Sequence, residues 1–165
     1  MSNPEVPVLL DEEINSYFEN ATNSNRKRSH KILHDPGDYL NKVFNFVLED
    51  SYMTPHMHPS SEKVEHMYLV SGEFALIYFD DCGEISDSYL LRAGLQEKIQ
   101  VKPYAWHTYV MLSDKTIIYE TMEGVYHPET WKKMAPWAPV ENSQDAMTYL
   151  QALKDNVKNL NKFHA

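Results

Sequence analysis

Eight short extended segments follow one another in the middle of the chain, and they constrain the fold more than any other feature. They are rich in Val, Ile, Tyr and Phe, several alternate between apolar and polar residues, and turn-forming residues separate them. Segments of this length predict a mainly β fold, a sandwich, jelly roll or barrel and not a parallel sheet. The predicted strands cover residues 42–49, 52–58, 64–71, 73–80, 85–92, 97–102, 106–113 and 115–121.

Helical segments flank the predicted strands on both sides. Apolar residues recur at helical spacing over residues 8–21, and again from Ala146 through Leu160. The length of 165 residues fits one domain with one sizeable core. We therefore expect a single domain over residues 1–165, with a helical N-terminal extension over 8–34, a barrel over about 42–121, and a Pro/Trp-rich segment and C-terminal helix over 122–163.

The charge balance and the apolar runs exclude several classes of function. A formal net charge of −9 argues against general binding to nucleic acid and to an anionic membrane, since both need a basic face. No apolar run approaches the roughly 20 residues of a membrane span, and the start lacks the pattern of a secretory signal. We therefore expect a cytoplasmic protein with a small-molecule ligand. Cys82 is the single cysteine, which excludes an intrachain disulfide and a Cys-based zinc cluster.

One dense basic cluster, Arg26-Lys27-Arg28-Ser29-His30-Lys31, stands out against this acidic composition. One interpretation is a solvated loop. The other is an anion site, in which the loop folds over the barrel mouth and Arg26 or Arg28 contacts a phosphate or carboxylate. Arg suits that role because its planar guanidinium pairs with two anionic oxygens at once.

Histidines at strand spacing indicate a metal site. His56 and His58 are two residues apart, so in a strand both imidazoles project to the same face. Glu65 and His66 open a later strand candidate, and only one of these neighbours can point inward with that pair. His107 opens another strand. Polar groups converging inside a small barrel are costly to bury, and a divalent cation would remove that penalty.

The spacing of these residues resembles the two metal-binding motifs of the cupin superfamily. In the first, six residues separate His58 from Glu65 and six more separate Glu65 from Gly72; the second comprises Gly94 and residues 102–107. The chain is most similar to the WbuC-type cupin-fold metalloproteins, which bacteria often encode among genes for surface polysaccharide synthesis. The features shared with this subgroup include Asn45, Ser51-Tyr52, Pro55-His56, Lys63, Phe79-Asp80-Asp81, Trp106-His107-Thr108, Glu120, Glu123-Gly124 and the segment 135–139.

The resemblance implies a cupin double-stranded β-helix, or jelly-roll barrel, with flanking N-terminal and C-terminal helices. It also implies one divalent transition metal, iron, manganese, nickel or zinc, because nitrogen and oxygen ligands do not decide among these. The implied ligands are His56, His58, Glu65 and His107. Glu62 is the competing carboxylate, since it gives the shorter spacing of general cupins; we prefer Glu65 because it alone keeps the six-residue step to Gly72.

Departures from the motif and the remaining aromatic and histidine residues complete the prediction. Lys102 and Tyr104 replace a proline and a glycine of the second motif, so we expect the turn to avoid a backbone shape that only glycine takes easily. Tyr104 should lie near the mouth of the pocket, where it could contact substrate. We expect core packing for Trp106 and Trp137, an outward direction for His66, and surface or structural roles for His34, His127 and His164.

Three functional hypotheses follow. The first is a metal-dependent enzyme, an isomerase or epimerase for instance, acting on a small polar or sugar-type intermediate of surface polysaccharide synthesis. The second is an Fe(II)-dependent dioxygenase of small molecules, and the third a non-catalytic metal-dependent binding or regulatory module. A proton-transfer residue near the metal would favour an enzyme; Glu120, Tyr52 and Lys63 are the candidates. We also expect a homodimer, because barrel edges need covering.

Overall fold

The computed structural model describes the backbone of residues 5–164 and the side chains of residues 5–159. Two helices and ten strands follow in chain order. They are α1 (Asp11–Asn23), β1 (Arg28–Ile32), β2 (Leu40–Leu48), β3 (His56–Met57), β4 (Glu65–Ser71), β5 (Glu73–Phe79), β6 (Ile85–Arg92), β7 (Lys98–Val101), β8 (Trp106–Met111), β9 (Lys115–Glu123), β10 (Lys133–Met134) and α2 (Ala146–His164).

The strands form two antiparallel five-stranded sheets, with the orders β1-β2-β9-β4-β7 and β10-β3-β8-β5-β6. This arrangement confirms the predicted mainly β fold. Alternation along each strand directs one set of side chains between the sheets, where Val47, Met67, Leu76, Tyr109 and Ile118 form a buried cluster. No helix within residues 5–164 is long and apolar enough to cross a membrane.

Each helix covers the outer face of one sheet. Phe18 of α1 packs on Phe44 and Phe46 of β2, and the rings of Phe18 and Phe46 meet edge to face at 5.6 Å. The predicted stripe of α2 is buried on the other sheet through Ala146, Leu150, Leu153 and Val157. The side chains of Leu160 and His164 lie outside the described residues. Burial of these two helix faces closes the outer sides of the sandwich and leaves the space between the sheets for the polar site.

Tryptophan packing follows the sequence prediction. Trp106 is buried in the cluster under α2, and its indole N–H donates to Asp81 Oδ1 at 3.1 Å. Trp137 packs against Phe79, with ring centroids 5.0 Å apart. Gly83 lies so close to this indole that an added Cβ would meet Trp137 Cε3 at 2.7 Å. Trp137 therefore closes the core and does not form a substrate platform.

Two predictions are wrong at one end of the second sheet, where β10 and β3 lie. Only residues 56–57 of the predicted strand 52–58 are β structure. Pro55 cannot donate to a ladder, and Tyr52 and Thr54 instead donate their hydroxyl hydrogens to the Pro139 carbonyl. The Pro/Trp-rich segment, in which no strand is predicted, contains β10, whose two residues pair with β3.

The basic cluster is not a solvated loop, because most of it forms strand β1. Arg28 through Ile32 pair with β2 in antiparallel register, so the helical extension predicted for 8–34 contains a strand as well as a helix. Arg28 pairs with Val47 and is only 3% exposed. The sequence pattern missed this strand because its residues are mostly polar and its partner is set by distant pairing.

The turn before β8 also differs from the prediction. Tyr104 has φ +58°, in the left-handed region that non-glycine residues seldom adopt. The turn therefore keeps the glycine-like backbone shape with a tyrosine in place. Its side chain is 56% exposed.

Candidate metal centre

Three histidines meet between the two sheets. His56 of β3 and His107 of β8 are direct cross-strand partners, and their ring centroids lie 4.6 Å apart. His58 follows β3, with its ring centroid 5.3 Å from that of His56 and 5.5 Å from that of His107. All three are buried, and one ring nitrogen of each lies within 4.8 Å of the others. This cluster could hold a metal ion.

A backbone carbonyl fixes the orientation of each imidazole. The Nδ1–H groups of His56, His58 and His107 donate to the carbonyls of Thr54, Trp131 and Ala105 at 3.0, 2.9 and 2.9 Å respectively. A carbonyl only accepts, so each Nδ1 carries the hydrogen, and in the neutral form of the ring Nε2 then offers its lone pair to a metal. This tautomer is the one a metal-binding histidine needs, and such partners hold ligand rings in place.

Glu65 joins the cluster from the opposite sheet. Its Oε2 atom lies 3.1 Å from His58 Nε2 and 3.4 Å from His107 Nε2. Burial alone would raise the pKa of Glu65, but His107 and His58 outweigh it and hold the pKa well below its usual range. The competing Glu62 is exposed, and its backbone N–H bonds to Ser60 Oγ. His66 is on the opposite face of β4, as the sequence predicts.

The donor atoms of this group fit a cation. His58 Nε2, Glu65 Oε2 and His107 Nε2 are buried, and none has a hydrogen-bond partner among the described residues. Buried polar atoms without a partner are costly, and a divalent cation would satisfy all of them together. Burial, with neighbouring positive groups, also holds the pKa of His56 well below its usual range, so its ring stays in the neutral, metal-binding form.

A cavity of about 380 Å³ lies on the inner face of β1, β2 and β9. Glu120 lines this cavity. It pairs across the β4–β9 ladder with Met67, which is two residues after Glu65 on the same face of β4. Tyr126 and Trp131 close one side of the cavity with rings in edge contact at 4.9 Å. The other lining residues are His30, Ile32, His34, Asn41, Val43, Asn45 and Met122.

Glu120 lies within a polar network beside the cluster. Burial and the adjacent Glu65 carboxylate raise the pKa of Glu120 well above its usual range. The Tyr109 hydroxyl lies 3.5 Å from Glu120 Oε1, and the Asn45 side chain partly opposes the rise in the pKa of Glu120. His30 Nδ1 lies 2.5 Å from Asn45 Oδ1, which links the network to β1. Of the three proton-transfer candidates, Glu120 is the one that lines the cavity.

The other two candidates have structural contacts. Tyr52 packs under α2, where its hydroxyl donates to the Pro139 carbonyl at 2.6 Å, and burial raises its pKa. Lys63 Nζ donates to the Thr130 carbonyl at 2.6 Å and lies 5.0 Å from the Trp131 ring centroid. Lys63 therefore steadies the segment whose Trp131 carbonyl orients His58.

The residues predicted to bind substrate have different surroundings. Arg26 and Arg28 both pair with Glu141, and Arg28 also donates to Ser51 Oγ at 3.2 Å and to the Tyr52 carbonyl at 3.3 Å. Neither arginine is among the residues that line the cavity, and neither is Tyr104. His34 lines the cavity rim and accepts from the Lys42 N–H at 3.0 Å, while His127 is exposed.

Sequence reasoning missed two polar residues, one in the cavity wall and one on the segment that contacts His58. His30 was considered only as part of the basic cluster, although its position in β1 directs it to the same side as Asn45. Lys132 carried no motif at all, and it follows Trp131 directly on the segment that holds His58. No alternation of apolar and polar residues in the sequence pointed to His30, because the residues of β1 are mostly polar.

Comparison with known proteins supports the fold. A family model described as "Domain of unknown function (DUF6016)" matches residues 9–91, half of the chain. No curated protein matches the sequence at a significant level.

Solved structures of low sequence identity share the fold. An uncharacterised protein with a double-stranded β-helix domain from Klebsiella pneumoniae aligns with a TM-score of 0.54 at 15% identity, covering 79% of this chain and 98% of that protein. The capsular polysaccharide assembling protein CapF from Staphylococcus aureus gives 0.54 at 16% identity, covering 64% of this chain. Oxalate oxidase in complex with glycolate gives 0.52 at 12% identity, covering 70% of this chain. The chain spans only 31% of CapF and 58% of oxalate oxidase. These likenesses establish the cupin double-stranded β-helix fold.

Proposed function

The chain belongs to the family described as "Domain of unknown function (DUF6016)", and we propose that it is a metal-dependent enzyme that acts on a small polar or sugar-type molecule. The observation that carries the proposal is the convergence of three buried, oriented imidazoles, with the Glu65 carboxylate against two of them. His56, His58, Glu65 and His107 would hold one divalent transition metal. Such a metal supplies a Lewis acid that polarises a carbonyl or hydroxyl group of the substrate.

Glu120 supports an enzyme over a passive binding module. It lines the cavity beside Glu65 and has the Tyr109 hydroxyl 3.5 Å from its own oxygen. A carboxyl group in this position can deliver a proton to a bound substrate or remove one from it. Tyr126 and Trp131 would cover the substrate and exclude water from the site.

The sugar-type substrate rests on the aromatic and amide lining of the cavity and on the WbuC-type resemblance. The CapF fold likeness is consistent with this assignment, since that protein is described as a capsular polysaccharide assembling protein. We propose a role in surface polysaccharide synthesis on these grounds.

Metal analysis of the purified protein tests the first step. We expect about one transition metal per chain, and we expect His56→Ala combined with His107→Ala to abolish it. His127→Ala is the matched control, because His127 is exposed and outside the cluster. Full metal content in the double variant would refute the site.

Turnover tests the second step. Metal-loaded protein is incubated with a panel of sugars, sugar acids and sugar nucleotides and followed by NMR, with Glu120→Gln compared against wild type. We expect metal-dependent conversion that Glu120→Gln reduces by about 100-fold or more, as for the loss of a general acid or base. Unchanged turnover in Glu120→Gln would remove this residue from the mechanism. Conversion that requires Fe(II) and consumes O₂ would instead identify a dioxygenase.

A further inference from the structure

Lys63 is a buried lysine with no acidic partner among residues 5–159. The residue is only 9% exposed, and none of its contacts with this part of the chain is an ion pair. Its ammonium instead donates to the Thr130 carbonyl at 2.6 Å and lies 5.0 Å from the centroid of the Trp131 ring. A charged group is costly to bury without an opposite charge, so an apolar side chain would be less costly here unless these two contacts serve the site.

The two contacts hold one side of the segment that carries Trp131. Residues 125–130 are exposed and form neither helix nor strand. On the other side of Trp131, strand pairing fixes the chain, because β10 pairs with β3. Lys63 therefore anchors the segment on the side that has no strand partner.

The ring of His58 depends on this segment for its direction. The carbonyls that orient His56 and His107 belong to residues only two positions earlier in the chain. The carbonyl that orients His58 belongs to Trp131, 73 residues further on, and accepts from Nδ1 at 2.9 Å. His58 also lies just outside β3, so strand pairing does not fix its backbone. The direction of His58 Nε2 is therefore set by a distant part of the chain.

A short stretch of backbone connects Lys63 to this carbonyl. Lys63 holds the Thr130 carbonyl, and His58 binds the Trp131 carbonyl. Because each peptide unit is planar, only the φ and ψ angles of Trp131 separate these two groups. The ammonium over the ring also restrains the Trp131 side chain. Contacts on both sides of Trp131 limit its backbone angles and thereby limit where His58 Nε2 points.

We propose that Lys63 is a positioning residue of the metal centre, which acts through Thr130 and Trp131 to aim His58 Nε2 at the ion. This inference rests on the proposed function, since it assigns a role at the same metal site. The Trp131 ring lines the cavity, and its centroid lies 6.2 Å from that of the His58 ring. Lys63 thus joins a metal ligand to the cavity wall and does not itself act on the substrate.

Zinc affinity, measured by competition with a chelator, tests the inference. Lys63→Met keeps the length of the side chain but removes the ammonium, and it should weaken Zn²⁺ binding by about tenfold or more, as when a group that orients a metal ligand is lost. Lys63→Arg restores a positive charge and a donor and should recover most of the affinity. Lys133→Met is the matched control, because Lys133 is exposed, with its Nζ 5.7 Å from the Trp106 ring centroid. It removes the same charge from the same segment and should bind Zn²⁺ like wild type.

Cobalt spectra separate a positioning role from a general loss of structure. The visible absorption bands of bound Co²⁺ depend on the arrangement of its ligands. At saturating Co²⁺, the spectrum of Lys63→Met should therefore differ from that of wild type, whereas the spectra of Lys63→Arg and Lys133→Met should not. Urea unfolding in chelator measures the stability of each metal-free variant. If Lys63→Met does not fold, Lys63→Gln, which loses the charge but stays polar, replaces it in both assays.

Three results would overturn the inference: wild-type Zn²⁺ affinity in Lys63→Met, an equal loss of affinity in Lys133→Met, or a weakened affinity in Lys63→Met with an unchanged Co²⁺ spectrum. The third result would leave Lys63 with a scaffold role alone. Absence of metal binding by the wild-type protein would instead refute the proposed metal centre. Normal metal binding that does not depend on Lys63 would refute only the positioning role.

Discussion

Glu65→Gln is the substitution that best tests the metal centre, because Glu62 provides a matched control. Glu65 is 3% exposed, and its Oε2 atom is 3.1 and 3.4 Å from two imidazole nitrogens. Glu62 is exposed on the preceding turn. Both substitutions remove one negative charge and keep the side-chain shape, but only Glu65→Gln removes charge from the cluster.

The expected magnitude follows from mass action. A metal present at 100 times its Kd stabilises the native state by about 2.7 kcal/mol. In a domain of this size each kcal/mol shifts the Tm by about 2–4 °C, so the metal should raise the Tm of wild type by about 5–10 °C. Loss of the charged ligand should weaken metal binding by about 100-fold. This is the upper end of the losses in metal affinity seen when a group that only orients a ligand is removed. The same metal concentration would then equal the Kd and stabilise by about 0.4 kcal/mol, a shift of about 1 °C.

Thermal unfolding of each variant with metal and with chelator measures this shift. The difference between the two conditions is taken within one variant, so any change in the stability of the metal-free protein cancels. We expect Glu62→Gln to keep the full shift and Glu65→Gln to lose most of it. A full shift in Glu65→Gln, or a lost shift in Glu62→Gln, would show that the wrong carboxylate has been assigned.

Three further predictions concern the scaffold. Glu141→Gln should destabilise the protein by about 1–3 kcal/mol because it leaves the buried Arg28 guanidinium without its carboxylate. Arg28 and Arg26 outweigh burial and hold the pKa of Glu141 below its usual value. The loss of stability should therefore be present above about pH 4.5 and shrink as the pH falls through that lowered pKa. Urea unfolding of both proteins across this pH range measures the loss, and a loss independent of pH would contradict the pairing. Gly83→Ala should lower the free energy of unfolding in urea by at least about 1 kcal/mol more than Gly37→Ala does. Both glycines have φ near +90°, but only at Gly83 would the added Cβ meet the Trp137 ring, at 2.7 Å. Equal losses in the two variants would refute a packing role for Gly83. We also expect a homodimer, since the edge of β1 lies at the end of its sheet, and a monomer at micromolar concentration in sedimentation would contradict it.

Local patterns in the sequence determined most of the fold and part of the candidate site. Alternation of apolar residues and short turns predicted the strands, because a strand's burial repeats every two residues. The spacing of His56 and His58 placed both rings on one face for the same reason. Spacing to Gly72 favoured Glu65, and the structure places that carboxylate against the imidazoles while Glu62 remains exposed.

Tertiary structure decided everything that depends on partners far apart in the chain. Arg28 became a buried strand residue because β2 pairs with it and Glu141, 113 residues away, neutralises it. Lys132 acquired its position because β10 pairs with β3 and brings its segment to the histidines. Tyr104 takes a left-handed backbone although its sequence favours another shape. Such contacts leave no period in the sequence, since the free energy that fixes them comes from pairing and burial between distant segments and not from local propensity.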